Sequence, residues 1–178
     1  ACAMDAPSFT ALAENAIESL HENAWRDGRL YASFDGRDAR FPAYLDDHAF
    51  LLDALIEFLH ADWNSRYLGW AIELADALLE RFEDRERGGL FFTAHDHETL
   101  IQRPKPYADE ALPSGNGVAA RALLRLGHLL GETRYLDVAG RTLRAAYPTM
   151  RQMPQACATL QRALGDWLQP RTLVVVRC

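Results

Sequence analysis

Residues Leu90 to Leu126 read LFFTAHDHETLIQRPKPYADEALPSGNGVAARALLRL, and the interpretation of this stretch decides the fold. Leu90-Phe91-Phe92-Thr93 is a short apolar run behind Gly88-Gly89 and predicts a strand, with Leu100-Ile101 as the second arm of a hairpin. Polar residues and two prolines follow, and then Pro113-Ser114-Gly115-Asn116-Gly117 opens a helix that runs from Ser114 to Leu130 and stops at Gly131. A second patch, Tyr44-Leu45-Asp46-Asp47-His48, also opens a helix behind a loop that ends near Pro42. Most of the unusual polar chemistry of the chain therefore collects at two helix starts, which a helical array can bring to one face.

Outward from these patches, periodicity places the other helices. Phe9, Leu12, Ala13, Ala16, Ile17 and Leu20 predict a helix over 8–23 with Ser8 as its cap and these residues as its buried stripe. Leu45, His48, Leu52, Leu55, Ile56 and Leu59 predict one over 45–61, and Tyr67, Leu68, Ala71, Leu74, Ala75, Leu78 and Phe82 one over 65–82. A fifth is expected over 134–146, ending before Pro148, and a sixth over 155–168. Arg29-Leu30-Tyr31-Ala32-Ser33-Phe34 alternates between Gly28 and Gly36 and reads as a strand, and Thr172-Leu173-Val174-Val175-Val176 is β-prone.

The helices repeat. Ala6-Pro7-Ser8-Phe9, Asn64-Ser65-Arg66-Tyr67 and Glu132-Thr133-Arg134-Tyr135 each put a Ser or Thr and then an aromatic at a helix start, followed by an Ala/Leu-rich stripe. Helices of a second kind, opening near Tyr44, Pro113 and Pro154, alternate with them. An outer and inner alternation of this kind predicts an all-α fold of stacked αα-hairpins, part of an α/α toroid, with short β-hairpins in loops that emerge on one side.

Composition narrows the function classes. The formal charge of -6, without a basic stripe, excludes a nucleic-acid footprint. No apolar run approaches the roughly 18 residues of a membrane span, and the stretch Ala1 to Phe9 lacks the basic region and apolar core expected of a signal peptide. Cys2, Cys157 and Cys178 are odd in number and far apart, which fits a reducing compartment, so a cytoplasmic location is expected. Nothing in the residues calls for a cofactor.

Three segments resemble a family of thioredoxin-domain-containing proteins that includes the spermatogenesis-associated thioredoxin-like proteins. Tyr44-Leu45-Asp46-Asp47-His48-Ala49-Phe50-Leu51 is similar to its inner-helix start. Gly88-Gly89-Leu90-Phe91-Phe92-Thr93, with Asp96, Leu100-Ile101 and Arg103-Pro104-Lys105, resembles its second segment. Asp109, Ala111 and Pro113-Ser114-Gly115-Asn116 resemble its third. Glu110, Gly117 and His48 depart from the pattern, standing where glycine, serine and tyrosine are usual. The resemblance implies an (α/α)6 barrel like those of six-hairpin glycosidases and N-acylglucosamine 2-epimerases. Residues 1–178 would form a single domain, the C-terminal portion of that barrel, about three hairpins. The chain holds no CxxC, so thioredoxin chemistry does not carry over.

Two readings stand for each candidate. Asp46 and Asp47 either cap a helix start or point one carboxylate into the barrel mouth as acid, base or sugar ligand, with Asp109 as the second carboxylate. His48 is either a satisfied core histidine or, by the epimerase resemblance, a proton-transfer base. Arg103 and Lys105, the latter the only lysine, either salt-bridge Asp109 or Glu110 or face an anion at the helix start built by Ser114 and Asn116. Phe92 and Tyr44 are candidates for stacking on and lining a saccharide site. His95 and His97 have no third ligand at metal spacing, so no metal is expected. The leading expectation is a carbohydrate-binding or carbohydrate-modifying module with Asp47, His48 and Asp109 at its centre, and the alternative is a non-catalytic scaffold. Half a toroid leaves an apolar flank bare, so a homodimer or a closing barrel half is expected there.

Overall fold

The computed structural model describes residues 7–36, 38–98 and 101–169. Its order is α1 (Pro7–Ala24), β1 (Trp25–Arg26), β2 (Arg29–Phe34), β3 (Ala39–Pro42), α2 (Leu45–Ala61), α3 (Ser65–Arg81), α4 (Gly115–Leu130), α5 (Thr133–Gln152), a 3-10 turn at Pro154–Ala156 and α6 (Ala158–Leu168). Helices α2, α4 and α6 stand side by side as an inner layer, and α1, α3 and α5 cover them from outside, paired through side chains across α1–α3 and α3–α5. The expected alternation of inner and outer helices is therefore present, as part of an (α/α)6 toroid.

Local signals account for most element bounds. Asn64 caps α3 by accepting the N–H of Arg66 at 2.9 Å, and Gly131 ends α4 in the left-handed conformation at φ 69°. Glycines of α4 allow close approach both within the inner layer and to the outer one: a Cβ at Gly117 would lie 2.9 Å from Thr159 Cγ2 of α6, and one at Gly127 would lie 2.7 Å from Leu136 Cδ2 of α5. Leu45, Leu52 and Leu55 of α2 meet Leu123, Leu124 and Leu126 of α4 in a core that excludes solvent. On the other side of that layer, Arg121 pairs with Asp53 and Asp166, and Arg125 with Asp53 and Glu57, so two arginines of α4 tie all three inner helices together.

Three expectations are corrected. Leu90–Thr93 forms no strand: Leu90 makes a single bridge to Glu83, the Phe91 N–H goes to Phe82, and the Phe92 N–H to Pro104. The Phe92 carbonyl accepts from Leu45, so the segment's backbone bonds go to four different places instead of one ladder. Its proposed partner Leu100 lies outside the described residues, as does the β-prone tail, and Ile101 is exposed. The sheet lies elsewhere, in the antiparallel order β1-β2-β3 after α1. Helix α5 does not stop at Pro148 but continues to Gln152, giving up one backbone bond, with Met150 buried beyond the proline. Finally, Phe9 and Leu12 of α1 are 47% and 62% exposed, although they head an apolar stripe.

Candidate functional site

The N-termini of α2, α4 and α6 lie together on the loop side, and carboxylates join them. Asp47 in the first turn of α2 accepts the Tyr44 N–H at 2.8 Å, closing the helix start on itself. Asp46, one residue earlier, turns to α4: a Cβ on Gly115 would overlap its Oδ1. That oxygen is buried and has no hydrogen-bond partner. Burial, followed by the charge of Asp47, pushes the Asp46 carboxyl above its ordinary pKa, and the nearby Gly115 N–H opposes them.

Asp109 bridges the next pair of helices. Its Oδ1 accepts the Ser114 N–H at 2.8 Å at the start of α4, and its Oδ2 accepts the Thr159 N–H at 2.9 Å at the start of α6. Burial alone would raise this carboxyl, but the bonds from Ser114 and Thr159 outweigh it and hold the pKa below the usual range. Ser114 does not cap α4 with its own hydroxyl, which donates instead to the Pro106 carbonyl at 3.1 Å. Asn116 is wholly buried, and its amide pairs with both backbone groups of Leu90 and donates to the Pro106 carbonyl at 3.0 Å.

The two loop cations face inward. Lys105 Nζ lies 2.7 Å from Asp84 Oδ2 and 2.9 Å from the Gly88 carbonyl, so its salt bridge is with the turn after α3 and not with Asp109 or Glu110. That turn needs the left-handed Gly88 and Gly89, at φ 73° and 79°. Asp84, which burial would raise, is held below its ordinary pKa by Lys105 and by the N–H groups of Arg87 and Glu86. Arg103 lies 4.0 Å from the centre of the Phe91 ring and donates to the carbonyls of Thr93 and Arg81.

His48 is 2% exposed and points to the opposite side of α2 from Asp46, toward β2 and the end of α3. Its Nδ1 lies 2.9 Å from the Tyr44 carbonyl, so that nitrogen carries the proton and donates, while Nε2 has no partner. Burial, reinforced by Arg81, His97 and Arg29 and opposed by the Tyr44 carbonyl, pushes the imidazole down to about 4, so the ring is neutral at neutral pH. Its ring meets Phe82 edge-on at 4.9 Å. Tyr44 is partly exposed and stacks on Phe92, with centroids 4.9 Å apart and planes within 11°. Asp96 pairs with Arg29, and among the described residues no three His, Cys, Asp or Glu side chains group as a metal site.

The structure thus brings Tyr44, Asp47, Phe92, Asp109, Ser114 and Asn116 to one region of the loop side, and places His48, Arg103 and Lys105 in the seam between layers. Asp46 is the residue that spacing did not separate from Asp47, since adjacent acids in a first turn look alike in sequence. Asp84 carried no signal at all, being one charge in the run Glu83 to Arg87.

No family profile matches the chain. Spermatogenesis-associated protein 20 of Rattus norvegicus and that of Homo sapiens are each 34% identical to it over 134 residues, 75% of this chain and 17% of theirs. An uncharacterised protein of Caenorhabditis elegans is 29% identical over 125 residues, 70% of this chain and 17% of that protein. The match thus spans 17% of the length of these curated relatives. Among solved structures, a GH76 α-mannanase of Bacteroides thetaiotaomicron superimposes with a TM-score of 0.67 and 14% identity, covering 93% of this chain and 47% of that one. At that identity the likeness is one of fold: three hairpins here correspond to about half of an (α/α)6 barrel. Among the described residues no helix is long and apolar enough to cross a membrane.

Proposed function

We propose, for a chain that belongs to the family of thioredoxin-domain-containing proteins represented by spermatogenesis-associated protein 20, that its glycosidase-like domain binds a carbohydrate at the loop-side ends of the inner helices. The observation that carries this reading is the pairing of two unlike carboxylates across the start of α4. Asp46 is shifted toward the protonated form with one oxygen unbonded, and Asp109 is held ionised by two helix starts. Environments that push two carboxyl groups apart are what acid–base work on a glycosidic or hydroxyl oxygen needs.

In this reading Asp46 is the proton donor and Asp47 the residue that fixes its turn. Asp109 supplies the fixed negative charge. Tyr44, stacked on Phe92, offers the aromatic surface on which a sugar ring rests. His48 then acts as a positioning residue, since its proton is spent on the carbonyl of Tyr44. The structural neighbour is a GH76 α-mannanase, so mannosides belong in the ligand panel.

The test is nuclear magnetic resonance titration of the chain with neutral, amino and phosphorylated mono- and disaccharides. Shifts confined to Tyr44, Asp46 and Gly115, abolished in Asp46→Asn, support the site. Silence across the whole panel refutes it. A second reading, a non-catalytic scaffold, is favoured by one observation: Arg103, Lys105, Asp109, Ser114 and Asn116 all bond to this chain itself. Under that reading, substitutions at Asp46 leave the activity of a full-length relative unchanged.

A further inference from the structure

The outer helices repeat, so the α1–α3 and α3–α5 junctions can be compared position by position. At both, an arginine and a tyrosine at the start of one helix meet an acid on the helix before it. Arg66 and Tyr67 of α3 meet Glu18 of α1, and Arg134 and Tyr135 of α5 meet Asp76 of α3. One turn further on, the junctions differ. Between α1 and α3 the buried Trp70 fills the groove, meeting His21 edge-on at 4.7 Å and Trp25 at 6.1 Å. In the same repeat alignment Val138 of α5 stands for Trp70, while Leu79 and Glu83 of α3 stand for His21 and Trp25. The α3–α5 groove therefore carries none of the three rings, and a space of about 550 Å³ opens over Leu79 and Val138.

The alignment also adds charge at this junction. Asp137 of α5 stands where α3 has Gly69, and Glu80 lines the groove from the α3 wall. Both are exposed, and neither forms a salt bridge among the described residues. The three arginines of the groove are already engaged: Arg134 with Asp76 at 2.8 Å, Arg141 Nε with Glu83 at 3.1 Å, and Arg85 with Glu83 at 3.7 Å. The middle of the groove thus joins an apolar floor to two carboxylates without cations. The Arg134–Asp76 and Arg141–Glu83 pairs both cross from α5 to α3, about two helical turns or about 10 Å apart. They close the groove at either end, so it suits a compact molecule and not a chain running through it.

We infer that the α3–α5 groove binds a small aromatic amine. Its ring lies on Leu79 and Val138, where the α1–α3 junction holds its own indole, and its ammonium lies between Glu80 and Asp137. The space is within the ordinary range for small-molecule sites, about 300–1,000 Å³. Burial of the ring supplies most of the affinity. The carboxylates, being exposed, contribute only about two- to fivefold each, and they set the preference for a cation. The groove lies between two outer helices and is separate from the inner-helix starts proposed for carbohydrate.

Tryptamine is the probe, followed through the backbone amide resonances of the whole chain. Saturable shifts are expected at Leu79, Glu80, Asp137 and Val138. Indole-3-acetate, with the same ring and the opposite charge, should bind about tenfold more weakly or less, from two carboxylates at about two- to fivefold each. Asp137→Asn and Glu80→Gln, at exposed positions, should each weaken tryptamine by about two- to fivefold and narrow its advantage over indole-3-acetate. Val138→Trp gives α5 the ring that α3 carries at that position and should abolish the shifts. If that variant does not fold, the two carboxylate variants still decide. No saturable shift with tryptamine, equal binding of the two probes, binding unchanged in both carboxylate variants or in a folded Val138→Trp, or shifts confined to Tyr44 and Asp46 would each overturn the inference.

Discussion

The side-chain amide of Asn116 bonds both backbone groups of Leu90, accepting its N–H at 2.8 Å and donating to its carbonyl at 2.9 Å. One buried side chain thus does for Leu90 what a neighbouring strand would do, and it fixes the loop after α3 to the start of the inner helix α4. Asn116→Leu has similar size but leaves both Leu90 groups unpaired in the interior, while the Pro106 carbonyl keeps its bond from the Ser114 hydroxyl. The expected loss is about 2–6 kcal/mol of unfolding free energy in urea titration, from two buried groups at about 1–3 each.

Lys105 is held by Asp84 and the Gly88 carbonyl at the turn after α3. Lys105→Met removes the cation and leaves Asp84, itself largely buried, with an uncompensated charge. The expected cost is about 3–5 kcal/mol, the range for breaking a buried pair. Asp84→Asn with Lys105→Met should recover part of it, a coupling that a double-mutant cycle measures.

Gly115 and Asp46 occupy each other's space at the α2–α4 contact. Gly115→Ala places a methyl against Asp46 Oδ1 and should destabilise by about 1–3 kcal/mol. Asp46→Ala in the same chain should relieve the overlap. Asp46 also titrates in a definite direction. Its folded pKa lies above its unfolded one, so it favours the fold below the unfolded value and loses that contribution as pH rises through the folded pKa. Asp46→Asn is therefore expected to be more stable than the parent at pH 7 and no more stable at acidic pH, as thermal melts at the two pH values would show.

For His48 the sign is the reverse. Its folded pKa of about 4 lies below the ordinary 6.5, so the unfolded chain takes up the proton first. Stability is unaffected above the unfolded pKa and falls as pH drops through the interval between the two values, by about 3 kcal/mol when the interval has been crossed. His48→Gln, which keeps a donor for the Tyr44 carbonyl, should flatten that slope in urea titrations across the interval. An unchanged slope would exclude His48 as its source, and Asp84 and Asp109 would not replace it, because their depressed pKa values place the loss of their contribution below the ordinary carboxylate range.

Each failure of sequence reading has a physical cause in long-range contacts. Leu90-Phe91-Phe92-Thr93 has the composition of a strand, but its backbone groups are claimed by Phe82, Pro104, Leu45 and Asn116. Pro148 is a helix stop by local rules, yet α5 continues because Met150 beyond it reaches the core. Sequence favours Asp47 over Asp46 as the mouth carboxylate, and only the approach of Gly115 separates their roles. Lys105 stood out as the sole lysine, but its partner lies 21 residues earlier in a turn with no distinguishing motif.

What the chain's sequence determined by itself was everything that local bonding and periodicity control: the outer and inner alternation, the span Leu45–Ala61 of α2, the strand Arg29–Phe34, and the grouping of polar residues at inner-helix starts. Tertiary structure alone decided where those polar groups spend their hydrogen bonds. It set the carboxyl of Asp46 against a neighbouring helix and that of Asp109 across two, and it buried one repeat stripe in α3 and α5 while leaving its copy in α1 uncovered. The reason is that capping and helical periodicity act within a few residues, whereas burial and the choice of hydrogen-bond partner depend on which distant surface arrives opposite.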